Sequence, residues 1–241
     1  MSYDFTRFAN ILTSWGISFS EEQKDQLITY YEMLVEKNKV MNLTTITDFE
    51  EVLDKHFLDS LSLAHFVDLK KSASIIDLGT GAGFPGLPLK ILFPDLHMTL
   101  ADSLNKRILF LNEVIDALGL TGISAIHARA EELARDKNYR DQYDYCLSRA
   151  VANLSSLSEY CLPFVKPGGY FISYKSGDIE EELAAAKKAI FLLGGQLDAV
   201  IPFQLDGTDL SRSFVIIRKD KQTPKAYPRK SGTPTKNPLG S

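Results

Sequence analysis

The chain has 241 residues, 44% hydrophobic and 24% charged, which is enough for one sizeable core with short extensions. No apolar run approaches the roughly twenty residues of a membrane span, and Met1 to Asn10, with acidic Asp4, lacks the apolar core of a secretory signal, so a soluble cytoplasmic protein without membrane contacts is expected. The net charge of −4 excludes a uniformly basic chain, and the two cysteines, Cys146 and Cys161, fit neither a disulfide framework nor a metal-ligand spacing, so no metal is expected.

The first seventy residues read as helical. Ser20-Glu21-Glu22-Gln23 is a capping-box pattern, after which Leu27, Tyr31, Leu34 and Val35 recur on one helical face. A similar pattern, Thr47-Asp48-Phe49-Glu50, opens another helix towards His56, and Phe57, Leu58, Leu61, Leu63 and Phe66 carry it towards a sheet. From Ala73 strands and helices alternate, the pattern of a parallel α/β sheet. Strands are predicted near 74–78, 97–101, 123–127, 143–148, 169–175, 197–203 and 212–218, with Pro167-Gly168-Gly169 turning into the fifth. Helices are predicted near 86–93, 104–118, 131–136, 153–162 and 178–193. The expected fold is thus a Rossmann-like, seven-stranded, mostly parallel sheet with an N-terminal helical extension. It divides into a helical cap (1–70), the α/β domain (71–220) and a basic, Pro-rich tail (221–241). Residues 211–241 carry eight Lys or Arg against one acid, a local charge of +7, while the rest of the chain carries −11. Such asymmetry suits a polyanion meeting one edge of the molecule, or simply a solvated tail. From Thr223 the tail is expected to lack regular structure unless something organises it.

Ser74-Ile75-Ile76-Asp77-Leu78-Gly79-Thr80-Gly81-Ala82-Gly83 is the most informative segment. An apolar strand ends in a carboxylate and then in a loop whose glycines let main-chain amides approach a ligand. Gly81-Ala82-Gly83-Phe84-Pro85-Gly86 also spells the G-x-G-x-x-G string of dinucleotide sites. A pyrophosphate beside Asp77 would be repelled, whereas S-adenosylmethionine carries an ammonium and a sulfonium and no phosphate. Asp77, Gly79 and Gly81 are therefore candidate cofactor residues. Asp102 ends the second strand roughly twenty residues past the glycines, where an acid accepts from ribose hydroxyls. Asp102 and its neighbour Ser103 are candidate cofactor residues, and both also suit the N-cap of the next helix.

Ligands collect at the carboxyl ends of the strands in such sheets. The third strand delivers Ala130 and Glu131 beside the adenine, although Glu131 equally suits a helix first turn. The fourth delivers Arg149 to the position nearest the transferable methyl, where the alternative is a surface ion pair.

Together, Asn42-Leu43-Thr44, His56 with Asp59-Ser60, Asp77 to Gly86, Arg129-Ala130-Glu131-Glu132, Ser148-Arg149-Ala150-Val151 and Tyr227-Pro228-Arg229-Lys230 resemble the bacterial 16S ribosomal RNA guanine-N7 methyltransferases, once called glucose-inhibited division protein B. The resemblance runs nearly end to end. It implies a class I methyltransferase domain that binds S-adenosylmethionine through Gly79, Phe84, Ala130, Glu131 and Arg149 and methylates one guanine in the RNA of the small ribosomal subunit; a monomer is the separate expectation. Guanine N7 bears a lone pair and no proton, so its attack needs no general base. Arg149 must then leave N7 free and bind O6, a phosphate or the cofactor carboxylate. Asn42 and His56 are candidates to orient the base or close the pocket, the alternatives being a turn residue and a packed histidine. Lys106, Arg107, Lys175, Arg212, Lys225, Arg229 and Lys230 are candidate RNA contacts at the rim and on the tail. The rivals are a small-molecule methyltransferase on the same fold and a dinucleotide-binding regulator without enzymatic activity.

Overall fold

The computed structural model describes residues 3–69, 71–149, 152–177 and 179–240; Ala150 and Val151 lie outside the described residues. The N-terminal segment folds as α1 (Thr6–Ser14) and α2 (Glu21–Met41), then as α3 (Phe49–Val52), a π-helical turn (Leu53–Leu58) and α4 (Asp59–Phe66) in direct succession. The capping box of α2 forms as expected, Gln23 N–H donating to Ser20 Oγ and Ser20 N–H to Gln23 Oε1. Its buried face is Leu27, Tyr30 and Leu34. Tyr30 turns inward in place of Tyr31 and Val35 because its hydroxyl has a buried acceptor, Ala82 O at 2.6 Å. The cap of α3 is Asp48 and not Thr47, its carboxylate accepting from Glu51 N at 3.1 Å.

Seven strands form one sheet among the described residues: β1 (Ser74–Leu78), β2 (His97–Asp102), β3 (Ile123–His127), β4 (Tyr143–Arg149), β5 (Val165–Ser176), β6 (Gly195–Gln204) and β7 (Ser211–Lys219). Their order is β3-β2-β1-β4-β5-β7-β6, with β7 antiparallel to both neighbours and the remaining pairs parallel. The order reverses between β1 and β4, which opens a crevice at their carboxyl ends. β5 begins before the Pro167-Gly168-Gly169 turn, not after it. The strand passes Asp144 so closely there that a Cβ on Gly169 would lie 2.5 Å from Asp144 O.

Successive strand residues point to opposite faces and build two cores. Ile75, Leu100, Leu147, Ile172 and Phe214 pack with Leu12, Leu27 and Phe57 of the N-terminal helices. On the other face Ile76, Ala101, Cys146, Phe171 and Val215 pack with Leu157, Cys161 and Ile190, and both cysteines are buried and unpaired. The other helices are α5 (Gly86–Leu92), α6 (Asn105–Ala117), α7 (Ala130–Leu133), α8 (Leu154–Cys161), α9 (Glu180–Leu192) and α10 (Thr233–Lys236). No helix among the described residues is long and apolar enough to cross a membrane.

Main-domain side chains organise the tail, the condition under which structure was expected there. Arg140 donates to Thr223 O and Tyr227 O, and Arg135 donates to Pro228 O. Buried Lys219 donates to Leu162 O and to Thr223 Oγ1. Glu159, fully buried on α8, receives the backbone N–H and the guanidinium of Arg229. Ser156 Oγ then donates to Pro234 O at the start of α10.

Candidate active site

A cavity of about 600 Å³ lies where β1 and β4 part, a size suited to a nucleoside-sized ligand. Its floor is the loop Leu78 to Ala82. Gly79 and Gly81 have φ of +72° and +63°, which L side chains rarely adopt, and a Cβ on Gly81 would meet nothing within 4 Å. The loop is fixed from both sides. Gly79 N and Thr80 N donate to Ala101 O, and Gly81 N donates to Asp102 Oδ2 at 3.0 Å.

Asp77 behaves otherwise than expected. Its side chain is completely buried behind the loop, and Oδ2 accepts from Thr80 Oγ1 at 2.6 Å and from Gly86 N at 2.9 Å. It does not line the cavity, and its bonds shape the loop from beneath. Burial raises its carboxyl to about 6 despite those two bonds. The same geometry argues against a pyrophosphate, because the first amide of α5 already points at this carboxylate.

Asp102 does line the cavity, and its oxygens also accept from Leu104 N and from Arg107 Nη1 at 3.1 Å. Asp102 is thus a wall of the cavity, whereas the N-cap of α6 is Leu104, without a side-chain cap, and not Asp102 or Ser103. Ser103 is exposed at the rim. Ala130 and Glu131 reach the same cavity from α7, where Glu131 Oε1 accepts from Gly232 N at 2.8 Å. Gly232 and Thr235 of the tail complete this wall, a contribution with no local signal in the sequence.

At the tip of β4, Arg149 is gripped on several sides. Nη1 donates to Asp59 Oδ2 at 2.8 Å and to Lys55 O at 3.1 Å, Nη2 lies 3.3 Å from His56 Nδ1, and the guanidinium carbon lies 5.1 Å from the Phe84 ring centroid. The His56 ring stacks on Phe84 with centroids 4.5 Å apart. Burial, then the Arg149 cation, lowers the His56 imidazole to about 4, so the ring is neutral near pH 7. His56 and Arg149 both line the cavity, together with Thr44, whose hydroxyl is 2.8 Å from His56 Nε2. Asp59 and Thr44 were visible in the sequence only as parts of longer strings. The π-helical turn that carries Lys55 and His56 brings them to the β4 tip.

Asn42 is not brought to the cavity. It is the exposed C-cap of α2 with φ of +49°, a conformation asparagine tolerates well, and this matches its reading as a turn residue. The basic candidates separate into two groups. Arg107 lines the cavity on Asp102, Lys175 donates to Ala152 O and Glu182, Arg212 donates to Asp59 Oδ1 at 2.8 Å, and Arg229 is held by Glu159. Their engagement with protein acceptors removes them from the first choice of free phosphate ligands. Lys106, Lys225 and Lys230 are exposed.

Residues 23–210 match the family model described as rRNA small subunit methyltransferase G. A protein named ribosomal RNA small subunit methyltransferase G from Lachnoclostridium phytofermentans is 53% identical over 98% of both chains. Its namesake from Bacillus licheniformis is 50% identical over 97% of this chain and 98% of the other. Among solved structures, a SAM dependent methyltransferase from Aquifex aeolicus superposes with a TM-score of 0.53 at 16% identity, over 73% of this chain and 96% of that one. TrmN from Thermus thermophilus gives 0.52 at 20% identity, over 69% of this chain and 53% of that one, and both show a shared fold. The chain belongs to the rRNA small subunit methyltransferase G family.

Proposed function

We propose that this protein transfers a methyl group from S-adenosylmethionine to N7 of a guanine in 16S ribosomal RNA, in the cytoplasm and on the small subunit or its precursor. When bound, the cofactor supplies an electrophilic methyl on a sulfonium. The residues present fit it. Gly79 and Gly81 line the cavity at positive φ, with nothing within 4 Å of a Cβ on Gly81, and in this reading Asp102 meets the ribose hydroxyls, Ala130 and Glu131 the adenine edge, and Arg149 the carboxylate.

One observation carries the choice of nucleophile: among the described residues that line the β4 end of the cavity, no side chain is equipped to take up a proton. Arg149 is permanently cationic, and His56 is held near 4 beside that cation. Ser148 Oγ donates to Leu78 O. A nucleophile that must lose a proton finds no base here, whereas guanine N7 needs none. The protein's task is then to align N7 with the methyl and exclude water, and alignment alone contributes on the order of 7 to 11 kcal/mol. Phe84, stacked under His56 and Arg149, supplies an apolar floor for that purpose.

The test is transfer of labelled methyl to small-subunit RNA from cells lacking the protein, followed by cleavage chemistry selective for N7-methylguanine. Cleavage at one labelled guanine is the expected result. Label on an exocyclic amine, a ribose or a small molecule overturns the proposal.

A further inference from the structure

Thr44 follows α2 by three residues, and its backbone N–H donates to Asn38 Oδ1 at 2.9 Å, which fixes the loop against the helix. Its hydroxyl oxygen accepts from Ile46 N at 3.0 Å and lies 2.8 Å from His56 Nε2. The direction of the second bond follows from the imidazole tautomer. Arg149 Nη2, which can only donate, lies 3.3 Å from His56 Nδ1. A proton on Nδ1 would set N–H against N–H beside a fixed cation. Lys55 O is the other neighbour of Nδ1, at 3.1 Å, and has a second lone pair beside the one that Arg149 Nη1 uses, but an Nδ1 proton aimed at it would still face the Arg149 Nη2 donor. Nδ1 is therefore the acceptor, and Nε2 carries the proton and donates it to Thr44.

Both acceptor sites of the Thr44 oxygen are then filled, and its own proton has no acceptor among the described residues. Thr80 and Ser148, the other hydroxyls on this side of the cavity, donate to Asp77 and Leu78 O. Thr44 alone of the three keeps a donor for a ligand. Beside N7, guanine presents the O6 acceptor, whereas adenine presents an amine that also donates.

We propose that Thr44 is a specificity-determining residue that donates a hydrogen bond to O6 of the target guanine, held in donor form by His56 and Arg149. The assignment rests on the guanine-N7 reading above. The rival acceptor is the cofactor carboxylate.

The experiment compares the unmodified protein, Thr44→Val and Thr44→Ser on small-subunit RNA carrying either guanine or 2-aminopurine at the target. 2-Aminopurine keeps N7 and lacks O6. Thr44→Val is expected to slow transfer to guanine about ten-fold while cofactor affinity stays within about two-fold, and Thr44→Ser is expected to restore the rate. On 2-aminopurine, Thr44→Val and the unmodified protein are expected to react equally, because the interaction is already gone. In the unmodified protein, ¹⁵N NMR is expected to find the His56 proton on Nε2. Equal slowing on both bases, loss of cofactor affinity in Thr44→Val, or a proton on Nδ1 overturns the assignment. If the unmodified protein fails to label guanine N7 at all, the proposed function falls as well. Transfer to N7 that Thr44→Val leaves unchanged removes this assignment alone.

Discussion

Arg229 Nη2 lies 2.7 Å from Glu159 Oε2 and Arg229 Nε lies 3.0 Å from Oε1, so a guanidinium of the tail closes over a carboxylate that is otherwise buried in α8. The pair ties the tail to the wall of the cavity, since Gly232, three residues on, bonds to Glu131. Arg229→Ala leaves Glu159 buried without its cation. By the usual cost of orphaning a buried charge the loss is about 3 kcal/mol, equivalent to about 6 to 12 °C in thermal midpoint for a chain of this size. Cofactor affinity is expected to fall with it. Differential scanning calorimetry and titration calorimetry check the two effects, and an unshifted midpoint removes the docking role.

The glycine loop offers a cleaner separation of ligand contact from folding. Gly81→Ala adds a methyl to open space at a positive φ, so it is expected to cost only about 1 kcal/mol of stability while weakening cofactor binding at least about ten-fold. Gly83→Ala is expected to do the reverse damage. Its Cβ would lie 2.4 Å from Leu87 Cδ1 and 2.8 Å from the Tyr30 hydroxyl, and the fold yields first. Thermal unfolding with and without S-adenosylmethionine distinguishes the two variants.

Asp77 and His56 make opposite contributions to stability across one pH window. The Asp77 carboxyl is raised to about 6 in the fold, so the native state binds the extra proton and this contribution falls as pH rises from about 4 to 6. The His56 imidazole is lowered to about 4, so the unfolded state binds the extra proton and that contribution rises from about pH 4 to 6.5. Relative to the unmodified protein, Asp77→Asn is expected to gain stability with rising pH in this window and His56→Gln to lose it, each by up to about 1.4 kcal/mol per pH unit. Urea unfolding at half-unit steps of pH reads both signs, and parallel curves for all three proteins contradict the assignment.

Arg149→Ala removes the group at the β4 tip that is bonded to Asp59, Lys55 and His56. Cofactor affinity by calorimetry is expected to drop about ten-fold or more, with Arg149→Lys close behind because an ammonium cannot reproduce the planar fork. Unchanged affinity in Arg149→Ala would place the cofactor carboxylate elsewhere.

Lys106, Lys225 and Lys230 are exposed, and RNA binding is expected to draw on them. Each alanine variant is expected to weaken RNA binding and lower the slope of log K against log salt by about 0.7 to 0.9, while cofactor binding keeps its shallow slope. Filter binding between low and physiological salt measures it, and identical slopes in all variants remove these lysines from the interface.

The strands and the glycine loop were legible because their signals are local. Ser74 to Gly83 states an apolar run, a carboxylate and a turn in consecutive residues, and the capping box at Ser20 is complete within one helical turn. What could not be read depends on partners far apart in the chain. Nothing near Arg229 announces that Glu159, 70 residues earlier, awaits it. The orientation of Asp77 was invisible for a related reason: a carboxylate at a strand tip can face the ligand or turn back under the loop, and the amide of Gly86 decides for the second. Likewise Tyr30 and Tyr31 sit equally well on a helical wheel until Ala82 O supplies the acceptor that lets Tyr30 go inside.

With no base lining the β4 tip among the described residues, the cavity suits a nucleophile that has no proton to lose. The most direct measurement is the pH dependence of single-turnover methyl transfer to small-subunit RNA, with the labelled atom mapped in the same samples. Label is expected on guanine N7, with a rate that is level between about pH 6 and 8, since His56 is already neutral and N7 is unprotonated throughout. Label on an atom that carries a proton, with a rate rising about ten-fold per pH unit, would contradict it.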